Sequence, residues 1–447
     1  MPNAKCQIKI ISQRIISSMD PVVAHELLQE STKLKRFRVT ERLPEQQNVF
    51  KAIDTAEPTK QIIVKITSLK LGEDPIPQLE RYVQLSECNI CKLLDYELVG
   101  LRHVITVMEN CGTDLFSFII GFLYDNTKQI DLNLILSIAL QLLDQISCLQ
   151  RHNAVHGDIK VENVLIDDTG KVTLVDFDKL PMINKNRDGT FTLSGLTLTD
   201  YEPKSLMKLT VKYYETSKDE KEIIEHIFFK KWLLLESRQL WGYSNVPHEI
   251  YRAWKDNKFF TFPTQESVNI IDWYSWSYVI LMLLYVFKRK SQKDAVVFNE
   301  FVYRALLAIS MNIIVPNADP KRVPVDVFNI PIDADYIRKV GLGITVLLSF
   351  LNEPTVPNES CTNYKVRVFL ELIQTCESAD ELVARFQGAL SDPEFESNQT
   401  KFDAERAESL KVEEGGARRR RTHNKKHRPK KCKRTKRGTR RMRYKKK

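Results

Sequence analysis

Asp158, Asn163 and Asp176 are three oxygen-bearing side chains arranged around one short apolar hairpin. The stretch His156-Gly157-Asp158-Ile159-Lys160-Val161-Glu162-Asn163 leads into the β-type run Val164–Ile166, the turn Asp167-Asp168-Thr169-Gly170, a second run at 172–175, and then Asp176. Apolar β-branched runs on either side of an Asp/Gly turn predict a hairpin. The Asp and Asn precede its first strand and the second Asp follows its second strand, so all three converge on one end. That set suits phosphoryl transfer: one carboxylate receives the proton of the accepting hydroxyl, while an Asn and another Asp hold Mg²⁺ on the phosphates.

The elements that must position these groups read as follows. An amphipathic stretch lies around 22–28 in an extension covering residues 1–34. Strand-like runs follow at 37–39, 49–53, 62–66, 92–98 and 103–108, with a helix over 75–85 that has Pro near its first turn. Beyond Gly112 the pattern becomes helical. Residues 133–149 place Leu134, Ile135, Ile138, Leu142, Ile146 and Leu149 on one face of a long helix. This is a two-lobed α+β architecture, with a β-rich lobe at 35–108 and a helical lobe at 109–391. Within the latter, the segment 179–262 is the least legible, with a helix predicted at 218–236. Residues 392–414 read as a polar linker.

Charge divides the chain sharply. Residues 418–447 carry 19 Lys or Arg and no Asp or Glu; without them 48 basic residues face 57 acidic ones. The tail is too charged to fold alone and attracts polyanions through phosphate contacts, since Tyr444 is its one Phe, Trp or Tyr. Nuclear import, nucleic-acid contact and docking to acidic partners are its functional readings, against a plain solubility tail. The eight cysteines are scattered, and Cys88-Asn-Ile-Cys91 lacks a second pair at zinc spacing, which predicts reduced buried thiols. The N-terminal residues lack a run of signal-peptide length, and the greasiest segment, 276–287, is too short to span a bilayer. The expectation is a soluble intracellular protein without membrane partners, cytoplasmic or nuclear.

These residues resemble the eukaryotic protein-kinase superfamily, in several motifs in the right order over roughly 36–390. His156-Gly157-Asp158-Ile159-Lys160-Val161-Glu162-Asn163 resembles the catalytic loop H-x-D-x-K-x-x-N. The resemblance implies that Asp158 is the catalytic base, that Lys160 steadies the γ-phosphate and that Asn163 binds a second Mg²⁺. Asp176-Phe177-Asp178 resembles D-F-G, with Asp176 the main metal ligand. Ile62-Ile63-Val64-Lys65 resembles V-A-I-K, making Lys65 the α/β-phosphate ligand and Glu80 its ion-pair partner. Val107-Met108-Glu109-Asn110 resembles the hinge bordering the adenine, and Val49 resembles the last residue of the nucleotide-covering loop. Asp272-Trp273-Tyr274-Ser275-Trp276 resembles the segment that anchors the catalytic loop. The implied function is a serine/threonine-protein kinase using ATP and Mg²⁺ on a protein substrate. With the basic tail, the chain also resembles divergent kinases of large DNA viruses.

Departures keep two other readings open. Arg42, Pro44 and Gln47 stand where the covering loop has glycines, whose missing Cβ lets backbone N–H groups approach phosphates. Gly157 replaces the usual Arg, predicting little dependence on phosphorylation at Thr190, Thr192, Ser194, Thr197 or Thr199. Gly157 and Asp178 are also features of small-molecule phosphotransferases of the aminoglycoside and choline kinase type. Lys160, the Glu162-Asn163 pair and the Asp272 segment favour a protein kinase over these. A scaffold that transfers nothing is the third reading, favoured by the lost glycines and opposed by the retained base and metal residues.

Overall fold

The computed structural model describes residues 19–43, 48–69, 74–100, 102–125, 129–177, 180–194, 232, 268, 270–294, 299–314, 334–352, 362–405 and 407–408. Pro44, Gln47, Asp178, the predicted helix at 218–236 apart from Trp232, most of 179–262 and the tail 418–447 lie outside them.

Among the described residues, five antiparallel strands make the small lobe: β1 (Phe37–Arg42), β2 (Val49–Asp54), β3 (Glu57–Ser68), β4 (Leu93–Val99) and β5 (His103–Glu109). Their order is β1-β2-β3-β5-β4, so β3 is the central strand. Strand side chains alternate between faces. Ile62, Val64 and Ile66 therefore join Phe50, Ala52, Ile105 and Val107 in a buried core, while Lys65 projects from the opposite face of β3. Helix α1 (Pro21–Glu30) closes this core with Ala24 and Leu28. It starts where Asp20 Oδ1 accepts the Val22 N–H at 2.8 Å and proline occupies the first turn.

Glu97 on β4 fastens the turn after α1. Its carboxylate accepts the N–H groups of Thr32 and Lys33, each at 2.9 Å, and the hydroxyls of Thr32 and Ser31. Partial burial pushes this carboxyl up, but the four donors outweigh that and hold it at about 2.

Helix α2 (Ile76–Gln84) buries Leu79 and Tyr82 in the larger core, which belongs mainly to the helical lobe. There β6 (Thr113–Asp114), β7 (Val164–Ile166) and β8 (Val172–Leu174) form a three-stranded sheet. The predicted hairpin is its β7–β8 pair, with Val164 opposite Leu174. Gly112, just before β6, has φ +107°, and a Cβ there would lie 2.3 Å from Ile166 O. Only glycine fits that close approach.

Helix α3 (Leu115–Ile120) starts at Asp114, whose side chain caps the Ser117 N–H. Helix α4 (Leu132–Arg151) starts at Asp131 and is the spine of the lobe, with Ile135, Ile138, Leu142, Ile146 and Leu149 fully buried. Among the described residues α4 alone is long and apolar enough to cross a membrane, and 61% of that window is buried inside the protein. A second hairpin, β9 (Met182–Lys185) with β10 (Phe191–Ser194), falls in the segment that the sequence leaves least legible. Helices α5 (Ile270–Asp294), α6 (Glu300–Ile314), α7 (Ala334–Asn352), α8 (Asn363–Thr375) and α9 (Ala379–Leu390) complete the lobe.

Two expectations need correction. Cys88 and Cys148 are joined as a disulfide, because the turn after α2 packs on α4 and brings their Cα atoms to 5.3 Å; Cys91, Cys111 and Cys376 are free. The stretch expected as a polar linker is helical over residues 395–405.

Candidate active site

Asp158 lies in the loop between α4 and β7, and that loop is held from beneath. Asp272, in the first turn of α5, is fully buried; its Oδ2 accepts the His156 N–H at 2.7 Å and its Oδ1 accepts the Gly157 N–H at 2.8 Å. Burial pushes the Asp272 carboxyl up, and the two backbone donors pull the other way. His156 then works as a two-sided spacer. Its Nε2 faces Val175 O at 2.8 Å and its Nδ1 accepts the Asp158 N–H at 3.2 Å, which assigns the neutral tautomer with the proton on Nε2. One imidazole thus sets the loop bearing Asp158 at a fixed distance from the strand end bearing Asp176. Gly157 has φ +74° and Asp176 φ +76°. Glycine takes this conformation freely, whereas the non-glycine residue at 176 takes it at a cost.

The side chains converge. Lys160 Nζ is 3.0 Å from Asp158 Oδ2, and Asn163 Nδ2 donates to the same oxygen at 3.1 Å and to Asp158 O at 2.9 Å. The other oxygen, Asp158 Oδ1, is buried and has no hydrogen-bond partner among the described residues. A buried carboxylate oxygen without a donor costs free energy, so it marks where an arriving hydroxyl would be received. Asn163 spends its amide nitrogen on Asp158. The Val175 N–H donates to Asn163 O at 3.1 Å, so the loop and the end of β8 are tied directly. Glu162 beside it is half-buried, and desolvation pushes its carboxyl up.

Lys65 reaches this cluster from β3. It stands opposite Val49 of β2 and Thr106 of β5, and its ammonium pairs with the Asp176 carboxylate. Val49 is buried, and Met108 and Glu109 form the last two positions of β5, paired with Ile63 and Ile62. Glu80 is on α2 as the sequence predicts, but it is exposed and makes no ion pair with Lys65. Helix α2 turns Leu79 and Tyr82 inward, and Glu80, one residue after Leu79, points away from that face. The structure therefore brings together Asp158, Lys160, Asn163, Asp176 and Lys65, and leaves Glu80 outside.

Sequence reading missed two supports. Phe177 is fully buried between Tyr82 of α2, stacked at 5.0 Å, and His156, edge-on at 4.6 Å. Gln141 and Gln145 sit one turn apart on α4 and hydrogen-bond the edge of β8: Gln145 donates to Val172 O and accepts from the Leu174 N–H, and Gln141 accepts from the Val172 N–H. The available signal was a pair of glutamines four apart inside an otherwise apolar helix.

The donor set suits a hard cation and a triphosphate: two carboxylates, an amide and two ammonium groups. Lys65, Asp158 and Asp176 come from different elements and meet between a five-stranded sheet and a helical lobe, the arrangement of a two-lobed, kinase-like α+β fold.

Comparison with known proteins agrees. Residues 45–201 match the family model described as protein kinase domain. The liver/testis γ catalytic chain of phosphorylase b kinase from Bos taurus is 29% identical over 124 residues, covering 26% of this chain and 29% of that one. Citron Rho-interacting kinase from Homo sapiens is 35% identical over 95 residues, covering 21% and 4%. Serine/threonine-protein kinase KIC1 from Saccharomyces cerevisiae is 28% identical over 161 residues, covering 35% and 14%. In each case the aligned stretch spans less than a third of the relative's length. A solved structure titled as that of the Cydia pomonella granulovirus kinase PK-1 aligns with TM-score 0.33 and 18% identity, over 39% of this chain and 64% of that one. Over residues 45–201 the chain is thus similar to protein kinase domains.

Proposed function

We propose that the protein transfers the γ-phosphoryl group of Mg·ATP to a serine or threonine hydroxyl of a protein substrate. The observation that carries this reading is the split environment of Asp158. Oδ2 is held by Lys160 and Asn163, while Oδ1 is buried and has no hydrogen-bond partner among the described residues. The first two fix the carboxylate, and the second is left to take the proton of the attacking hydroxyl.

Each residue has one task. Asn163 and Asp176 are the oxygen ligands suited to Mg²⁺, which would neutralise charge on the phosphates when bound. Lys65 supplies a positive charge to the same phosphates; in the structure it rests on Asp176, so nucleotide entry exchanges one of its anionic partners for another. Lys160, two residues past the base, steadies the migrating group. Met108 and Glu109 border the adenine and Val49 covers it.

Lys160 favours a protein acceptor over a small molecule. Gly157, the main sequence argument for the small-molecule reading, has a local reason here, because its φ of +74° suits glycine whatever the acceptor. The tail 418–447 docks the enzyme on polyanions such as nucleic acid, and a cytoplasmic or nuclear site of action follows from that role. Incubation with γ-labelled ATP, Mg²⁺ and mixed protein and small-molecule acceptors tests the reading. Label in phosphoserine and phosphothreonine supports it; label in small molecules, or none, overturns it.

A further inference from the structure

Phosphoryl transfer uses none of the cysteines, yet two free thiols face each other beneath the end of β5. Cys111 Sγ lies 3.0 Å from Cys91 Sγ, closer than two sulfurs in ordinary contact, and the two share one hydrogen bond. Both also point at the carbonyl oxygen of Glu109, from 3.4 Å for Cys91 and 3.8 Å for Cys111.

Their backbones are fixed on both sides. The Cys91 N–H donates to Leu174 O at 2.9 Å, and Tyr82 donates its hydroxyl proton to Cys91 O. Cys111 is followed by Gly112, wedged against Ile166 O. Cys91 is buried and Cys111 is half-buried, so one sulfur is within reach of a solute and the other waits behind it. The two halves of Cys88-Asn-Ile-Cys91 thus serve different partners, Cys88 bonding Cys148 and Cys91 facing Cys111.

We infer that Cys91 and Cys111 form a reversible dithiol–disulfide couple under the β5 hinge, closed by a hydroperoxide. The Cys111 thiolate attacks the peroxide. An S–O bond forms, the O–O bond breaks, and the alkoxide, or hydroxide when the oxidant is hydrogen peroxide, leaves as alcohol or water after taking a proton from solvent. Cys91 Sγ then attacks Cys111 Sγ; the S–S bond forms, the S–O bond breaks, and hydroxide leaves with the Cys91 proton as water. Two thiols and one hydroperoxide give one disulfide, one alcohol and one water. The order follows from access and acidity: the Cys91 hydrogen bond lowers the Cys111 thiol pKa and raises its own.

The bond joins the lead into β4 to the residue two past Glu109. Its effect on nucleotide binding rests on the reading of Met108 and Glu109 as the adenine border.

The test uses the full chain, reduced with dithiothreitol, cleared of it and treated with two equivalents of hydrogen peroxide, because reduction also opens Cys88–Cys148. A non-reducing digest is then read by tandem mass spectrometry. Cys88 and Cys91 share the tryptic peptide 82–92, so fragment ions must assign the bond. The expected product is a 91–111 cross-link in most molecules, reversed by dithiothreitol and absent in Cys111→Ala. Affinity for a fluorescent ATP analogue should shift at least threefold on oxidation of the wild type and stay constant in Cys111→Ala. If no 91–111 cross-link forms, the couple is overturned. If the cross-link forms and a nucleotide-binding reduced chain binds equally well when oxidised, the hinge role is overturned. If the reduced chain binds no nucleotide at all, the phosphotransferase reading fails while the cross-link still decides the couple.

Discussion

Asp158 depends on residues that never touch a substrate. Asp272 holds two backbone N–H groups of its loop, and His156 relays that position to the Asp158 N–H. Replacing Asp272 by Asn turns an N–H₂ towards one of those donors and leaves it unsatisfied, at about 1–3 kcal/mol. The expected result is a kcat at least tenfold lower with little change in the KM for ATP, since the loop and not the nucleotide site is disturbed. An equal rise in KM would show that Asp272 acts more broadly. At this scale the sequence was most informative: Asp158, Lys160, Asn163, Asp176 and Lys65 are all found in one cluster. Glu80 was misjudged because spacing along a helix gives a residue's distance from a neighbour and not its direction. Whether α2 turns residue 80 towards β3 depends on how Leu79 and Tyr82 pack, and that is a tertiary fact.

Elements are joined by polar groups that hydrophobic patterning does not reveal. Glu97 couples β4 to the turn after α1, and its carboxyl sits at about 2 against an ordinary 4.5. The unfolded carboxyl takes up a proton as the pH falls past 4.5, while the folded one resists until about 2. Its stabilising contribution is therefore complete above pH 4.5 and is lost as the pH falls towards 2. Glu97→Gln should cost about 1–3 kcal/mol at neutral pH, from weakened charge-assisted hydrogen bonds. Urea unfolding at several pH values should show that difference shrinking in acid; a difference independent of pH would contradict the assignment. Gly112→Ala should cost at least about 3 kcal/mol, because its Cβ meets the Ile166 carbonyl at a strained φ. A thermal midpoint unchanged by that substitution would mean that β6 and β7 can separate freely. The five strands of the small lobe, the β7–β8 hairpin and α4 were readable from periods of two and 3.6, whereas β6, β9 and β10 were not. Gln141 and Gln145 were not, since a polar residue on a buried helix face has meaning only once β8 lies against it.

The whole chain combines a mildly acidic body with a tail carrying 19 basic residues. Removing residues 415–447 should leave transfer to a short peptide unchanged while abolishing most nucleic-acid affinity and its steep salt dependence. Affinity that survives the truncation would place the polyanion site on the body. Composition shows such a division clearly, but it cannot show that Cys88 and Cys148 meet, because they are 60 residues apart and only the packing of the turn after α2 on α4 brings them together. The central claim is that the buried oxygen of Asp158 receives a hydroxyl proton during phosphoryl transfer. It is tested most directly by comparing wild type with Asp158→Asn in a γ-labelled ATP transfer assay, with nucleotide affinity measured alongside. The account predicts unchanged ATP binding and a kcat lower by about 10²–10⁴-fold, the usual worth of a positioned base. Equal transfer rates for the two proteins would contradict it.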